Sequence, residues 1–172
     1  PEASVSSLHL SNSLLWELES RLLLIYLGRP HSSSEIHKLV IKRLERSSRY
    51  RRLLNPMREA AVKGKEALLH GDLGAFGNYM IENTKAQRQL HPELVGERAQ
   101  RIIEIAQEFG VDGYKVNGAG GIGGSVTLLM KTDTRYKYAM IEELLKQDPD
   151  FRNIPIRLAP QGLRRWRIED EE

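Results

Sequence analysis

The chain has 172 residues, of which 40% are hydrophobic and 28% are charged, and its formal net charge is +3 at pH 7. This composition is ordinary for a soluble domain with one core. It excludes a helical membrane span, because no apolar run approaches about 20 residues. The absence of cysteine excludes disulfides, thiolate chemistry and cysteine-based zinc sites. We therefore expect a single cytoplasmic domain over residues 1–172, with no membrane and no nucleic acid among its partners.

The first segments predict two strands around a short helix. Residues 4–10 partly alternate apolar and polar side chains, as a strand does. The segment "SNSLLWELE" predicts a helical turn capped by Asn12 or Ser13. The run "RLLLIYLG" (21–28) is short and continuously apolar, which is typical of a buried strand.

Several helices follow. The first has apolar residues at helical spacing after a run of serines that can cap it. The second begins with Asn55 as its cap and Pro56 at its first position, and the third is capped by Asp72. The fourth opens at Pro92, and Gly110 closes it in a left-handed conformation.

The last third of the chain returns to strands. Two short β-type runs flank a glycine cluster, residues 134–149 predict a helix with a core stripe, and residues 154–169 predict a hairpin. The stripe comprises Tyr138, Ile141, Leu144 and Leu145. Because strands do not alternate one-for-one with helices, we predict an α+β fold: a mainly antiparallel sheet of about four strands with helices on one face.

The glycine cluster "VNGAGGIGGSVTLL" (116–129) carries five glycines in seven positions. A dinucleotide-binding loop would need a helix after it, but Val126–Met130 has the residues of a strand. A Walker loop would need Gly-Lys-Ser/Thr, which does not follow here. A protein-kinase loop would need companion motifs that this sequence does not contain. A ligand-free hairpin turn needs fewer glycines. Glycines at this density leave amides uncovered for an anion, and they let another backbone pack closely.

The cluster resembles the third motif of the GHMP small-molecule kinases, which runs Lys-x-Thr/Ser-Gly-Ala-Gly-Gly-Gly-Gly between two strands. Asn117 stands where Thr or Ser is usual, and Ile122 replaces one glycine. The segments before it, from "LLLIYLGRPHSSSEIH" onward, are similar to the sugar-kinase branch and most of all to heptose 7-phosphate kinases. The matching residues are Lys115, Gly118, Ala119, Gly120, Gly121 and Gly123.

The resemblance implies a ferredoxin-like carboxy-terminal domain of an ATP-dependent sugar or sugar-phosphate kinase, with ATP and Mg²⁺ as cofactors of the complete enzyme. The family's phosphate loop and catalytic acid belong to an amino-terminal kinase domain that this sequence lacks. We therefore expect the domain alone to be inactive, with its catalytic residues elsewhere.

The resemblance also implies candidate site residues. A loop near the nucleotide phosphates would comprise Gly118, Ala119, Gly120, Gly121, Gly123, Gly124 and Ser125. Possible substrate-binding residues are Arg29, His31, Ser33, Lys115 and Asn117. The serines could equally cap the next helix, and Lys115 could equally lie on the exposed side of a strand.

Other polar groups point to no site. The spacing of the histidines makes no metal site, and Asp112 and Asp133 are typical turn residues. The arginines at 43, 46, 49, 51 and 52 predict a solvated basic face. The alternative function is a non-catalytic α+β domain that binds a ligand or partner, and an uncovered apolar face could support a homodimer.

Overall fold

The computed structural model describes residues 5–30, 33–46, 48–131 and 134–159. In chain order the elements are α1 (Asn12–Arg21), β1 (Leu22–Tyr26), α2 (Ser33–Arg46), α3 (Ser48–Arg52), α4 (Asn55–Leu69), α5 (Leu73–Leu90), a 3₁₀ turn (Pro92–Val95), α6 (Glu97–Glu108), β2 (Gly113–Asn117), β3 (Ser125–Leu129), α7 (Lys137–Gln147) and β4 (Arg152–Ile154). In the ranges just given, no helix has both the length and the apolar character needed to cross a bilayer.

The four strands form one antiparallel sheet in the order β2-β3-β1-β4. β2 and β3 are a hairpin, and the Asn117–Ser125 pair closes it below the glycine loop, which spans residues 118–124. The predicted α+β class with an antiparallel sheet of about four strands is therefore confirmed.

The main core lies on one face of this sheet. Alternate residues of β1, β2 and β3 point to the same side, because successive side chains of a strand point to opposite faces. There they pack against α6 and α7. The buried set includes Leu23, Ile25, Tyr114, Val116, Val126 and Leu128 from the strands, with Ile102, Ile103, Ala106, Met140 and Leu144 from the helices. The opposite face carries Leu22 and Leu129, which pack with residues of α1 and α5.

Helix α5 covers the outer edge of β2. The Thr84 hydroxyl accepts from the Val116 amide at 3.3 Å, so a side chain satisfies this donor at the free edge of the strand. Its one proton lies between two carbonyl oxygens, that of Met80 at 3.2 Å and that of Tyr114 at 3.3 Å. Gly77 lies against Gly113, where neither backbone leaves room for a side chain. The carboxyl end of α5 is thereby placed beside the glycine loop.

Several helix boundaries agree with the sequence. Asp72 caps α5 by accepting from the Ala75 amide at 2.8 Å, and Gly110 has a φ of +70° at the end of α6. The cap of α1 is Ser11 rather than Asn12 or Ser13, since its hydroxyl accepts from the Leu14 amide.

Other boundaries differ from the prediction. Asn55 lies inside α4, because the backbone is already helical at Leu54. Pro92 opens a 3₁₀ turn, and α6 begins only at Glu97. Residues 5–10 form no strand.

The predicted carboxy-terminal hairpin is also wrong in its first arm. The strand there is Arg152–Ile154, which pairs with β1, and residues 155–159 are irregular. The turn and second arm predicted for residues 160–169 lie outside the described residues.

Candidate functional site

The glycine loop between β2 and β3 depends on a backbone conformation that other residues rarely adopt. Gly118, Gly120, Gly121 and Gly124 have φ values of 63°, 62°, 76° and 90°. A residue with a Cβ is strained in this left-handed region, whereas glycine is not. Most of the glycine density is therefore required by the fold of the loop itself.

The loop is also held against the 3₁₀ turn by close backbone contact. The Gly121 amide donates to the Glu93 carbonyl oxygen at 2.8 Å. A methyl group at Gly120 would collide with the carbonyl oxygen of Leu94, and one at Gly96 would collide with that of Gly121. Close packing of a second backbone was one of the two reasons expected for these glycines. It explains why position 120 is a glycine.

Two amides of the loop remain available as donors. Within the described ranges, no hydrogen bond is made by the amides of Ala119 and Ile122, whereas the amides of Gly120 and Gly123 close the turns at residues 118–119 and 121–122. A free amide in such a loop can donate to an anion.

A cavity of about 530 Å³ lies directly beside the loop. Gly121 and Ile122 form its loop side, and the first residues of α2 and α6 form two other walls. Because a helix carries partial positive charge at its amino end, both helices favour negative charge here. The remaining lining residues are Arg29, Glu35, Ile36, Glu93, Gly96, Glu97 and Arg98.

Two arginines at this cavity differ in how firmly they are held. The Arg98 guanidinium donates to the Leu27 carbonyl oxygen at 2.9 Å, pairs with Asp148 at 2.7 Å and lies over the Phe151 ring. Its Nη2 is buried without a hydrogen-bond partner in the described part of the chain. Arg29 is mostly exposed and lies 3.8 Å from Asp150, so its charge can turn toward a ligand.

Lys115 lies on the other face of the sheet. Its Nζ donates to the Gln87 side-chain oxygen at 2.9 Å and to the Val116 carbonyl oxygen at 2.6 Å. Burial lowers the pKa of Lys115 to about 8. It lines a different cavity, between α4 and α5, next to Asn83.

The polar row beside Lys115 is bonded within itself. Asn117 donates from Nδ2 to the hydroxyls of Ser125, at 3.1 Å, and Thr127, at 2.9 Å. Gln87 ties this face to the loop, because its Nε2 donates to the Gly118 carbonyl oxygen at 3.3 Å.

The predicted site residues are therefore only partly brought together. The loop and Arg29 border one cavity, whereas Lys115 and Asn117 face the opposite side of the sheet, and a role for them in substrate binding stays a prediction. His31 lies outside the described residues, as does the side chain of Ser33, the first residue of α2.

Sequence reasoning missed Gln87, Arg98 and the three carboxylates at the cavity, Glu35, Glu93 and Glu97. The only local signal was position: Glu35 follows the serines at one predicted helix start, and Glu93 follows Pro92 at another. Among residues 5–30, 33–46, 48–131 and 134–159, no three His, Asp or Glu side chains could hold a metal ion together.

Comparisons with known proteins agree with this architecture. Residues 65–147 match the family described as GHMP kinases C terminal. The chain is 28% identical over 142 residues, 82% of its length, to the bifunctional fucokinase/GDP-fucose pyrophosphorylase of Arabidopsis thaliana, of which it covers 13%. It is 23% identical over 164 residues, 95% of its length, to the D-glycero-alpha-D-manno-heptose 7-phosphate kinase of Campylobacter jejuni, of which it covers 47%.

A solved structure supports the fold. The mevalonate kinase of L. major, in complex with R-mevalonate, superposes with a TM-score of 0.62 at 24% identity, over 77% of this chain and 40% of that one. The chain thus spans less than half the length of these relatives. Residues 65–147 belong to the GHMP kinase carboxy-terminal family.

Proposed function

We propose that this chain is the carboxy-terminal domain of an ATP-dependent sugar or sugar-phosphate kinase, and that the glycine loop lines its phosphate and substrate cleft. The observation that carries the proposal is the 530 Å³ cavity beside the glycine loop, with the unpaired amide of Ile122 at its wall. Both curated relatives are named for kinase activity on a sugar or a sugar phosphate, which supports the same substrate class.

The loop end of the cavity suits a phosphate. The amide of Ile122 can donate to a phosphate oxygen, and the amino end of α6 adds positive potential. Arg29 supplies a full charge at the rim. In phosphoryl transfer the protein's main task is to position groups and stabilise charge, and these donors are suited to it.

The same cavity also offers acceptors for sugar hydroxyls. Glu35, Glu93 and Glu97 line it, and carboxylates accept hydrogen bonds from hydroxyl donors. A sugar phosphate would therefore lie with its phosphate toward Arg29 and its hydroxyls toward these carboxylates.

The rest of the active site would come from an amino-terminal kinase domain. We assign to that domain the phosphate loop for ATP and the catalytic acid, since the described residues of this chain contain no comparable set. ATP fits the donors of the glycine loop, and it would supply the transferred phosphoryl group. Mg²⁺ finds no ligand set of its own among the described residues.

The test follows the amides of the ¹⁵N-labelled chain by NMR during titration with fucose and with heptose 7-phosphate. We expect shifts at Gly121, Ile122 and Gly123, and tighter binding of the phosphorylated sugar. Replacing Arg29 by Gln should weaken sugar-phosphate binding at least about tenfold, since a hydrogen bond to a charged group contributes roughly 1.5–3 kcal/mol. Arg157→Gln is the matched control, because Arg157 is exposed and does not line this cavity.

Activity assays separate the remaining outcomes. We expect no ATP turnover from this chain alone; robust turnover would contradict the assignment of catalytic groups to another domain. Ligand shifts confined to the Lys115 cavity would refute the loop cleft. Loop binding without phosphorylation in a protein that contains both domains would favour the alternative, a non-catalytic ligand-binding domain.

A further inference from the structure

The densest positive charge of the chain lies on the carboxyl half of α2 and on α3, away from the glycine loop. The cations there are Lys38, Lys42, Arg43, Arg46, Arg49, Arg51 and Arg52. The sequence predicts a solvated basic face at this position. The structure adds a concave feature within it.

An open cavity of about 380 Å³ lies where α2, α3 and the end of α5 meet. None of its six described lining residues is acidic, and three are basic. They are Leu39, Lys42, Arg43, Arg46, Tyr50 and His91. This cavity shares no lining residue with the 530 Å³ cleft, which lies at the other end of α2.

Arg43 is fixed in place at the back of this cavity. Its Nη1 donates to the Leu90 carbonyl oxygen at 3.0 Å, and its guanidinium carbon lies 4.9 Å from the centre of the Tyr50 ring. Those contacts use one of its five N–H donors, and the others remain for a ligand. The guanidinium is therefore preorganised rather than ordered only on binding.

Lys42 and Arg46 supply two further charges. They stand four residues apart on one helix, so their side chains emerge one turn apart on the same side, about 5–6 Å apart at Cβ. Both are exposed, and neither forms an ion pair or a hydrogen bond with any described residue. Two unpaired like charges at this spacing repel each other, and an anion between them would relieve the repulsion.

We propose that this cavity binds a small ligand that carries two linked phosphate groups. Lys42 and Arg46 would each face one phosphate, and Arg43 would donate to both from behind. The site does not fit single-stranded nucleic acid as well, because Arg43 already covers a face of Tyr50, the aromatic ring on which a base would stack.

The test is a calorimetric titration of this chain with pyrophosphate and, in parallel, with inorganic phosphate at constant ionic strength. We expect pyrophosphate to bind at least tenfold more tightly than phosphate. The double variant Lys42→Gln/Arg46→Gln should weaken pyrophosphate binding at least tenfold. Both side chains are exposed, so the variant should keep its fold, and circular dichroism checks this.

The control is the double variant Arg51→Gln/Arg52→Gln, which removes the same charge from exposed positions on α3 that do not line the cavity. We expect it to change pyrophosphate affinity less than twofold. If both double variants lost the same amount of pyrophosphate affinity, the anion would be attracted by the general positive charge of the surface, and the proposal would be overturned. Equal affinity for phosphate and pyrophosphate would also overturn it. NMR shifts at residues 118–124 instead of Tyr50 and His91 would also overturn it, as would tighter binding of a uridine oligonucleotide.

Discussion

At the scale of single residues, Lys115 links protonation to stability. Burial lowers its pKa from 10.5 to about 8 in the folded chain, so between these values the unfolded chain binds more protons. The contribution of Lys115 to the free energy of unfolding therefore rises with pH across that window. Below about pH 8 the lysine is charged in both states, so the full free-energy cost of burying its charge destabilises the folded chain.

The first prediction follows from this shift. Replacing Lys115 by Met removes the titrating group, so the melting temperature of the native chain minus that of Lys115→Met should increase between pH 7.5 and pH 9.5. Thermal melts of both proteins, followed by circular dichroism at several pH values, measure the difference. Parallel pH profiles would show that Lys115 is not desolvated in solution.

Part of the candidate site could be predicted at this scale. The loop glycines are evident from their density, but the prediction grouped Lys115 and Asn117 with them. Strand alternation was already visible, since Tyr114 and Val116 are apolar and their neighbours polar, and it places these two side chains on the opposite face. Arg98 could not be identified, because its position depends on Leu27 and Asp148, which lie far from it in sequence.

At the scale of elements, the Thr84 hydroxyl of α5 stabilises the edge of β2. Thr84 is buried, and its hydroxyl accepts from the Val116 amide and lies 3.3 Å from the Tyr114 carbonyl oxygen. Thr84→Val keeps the shape of the side chain but leaves the Val116 amide without a partner. The second prediction is a loss of about 1–3 kcal/mol in the free energy of unfolding, measured by urea denaturation.

Thr84→Ser is the matched control, because it retains the hydroxyl and removes only a methyl group. We expect it to keep most of the stability that Thr84→Val loses. If the two variants were equally destabilised, packing rather than the edge hydrogen bonds would be the cause.

Element boundaries were predictable where a local signal decides them. Asp72 follows a glycine break and caps α5 as expected, whereas Asn55 looks like a cap but follows a chain that is already helical at Leu54. In α7, Tyr138 was predicted to be core but is 77% exposed, and Met140 is fully buried. The spacing of apolar residues alone did not predict which side of α7 packs against the sheet.

At the scale of the whole molecule, the apolar core is unevenly divided. The cluster between the sheet and α6 and α7 holds seventeen buried residues, whereas the cluster of α2, α5 and the glycine loop holds five. Regions that bury fewer apolar contacts open more readily.

The third prediction concerns this difference. Amides of β1 and β3 should exchange with solvent most slowly, and those of α2 and α3 should exchange fastest among the helices. Native-state hydrogen exchange, read by NMR, measures both sets. Equal protection of α2 and β3 would mean that the two clusters unfold as one unit.

The order of elements was enough to predict the fold class, because it shows strands that do not alternate with helices. It could not show that β1 lies between β3 and β4, since that pairing joins segments about a hundred residues apart. That residues 1–172 form a single domain stays a prediction.

The contact between Gly96 and Gly121 limits which substitutions evolution can accept at position 96. Gly96 stands outside the glycine motif, at the start of another helix, yet any side chain there would push against the loop. Among descendants of this gene, a larger residue at position 96 should survive only alongside a compensating change in the loop. The glycines on which the loop depends therefore lie in two separate segments of the sequence.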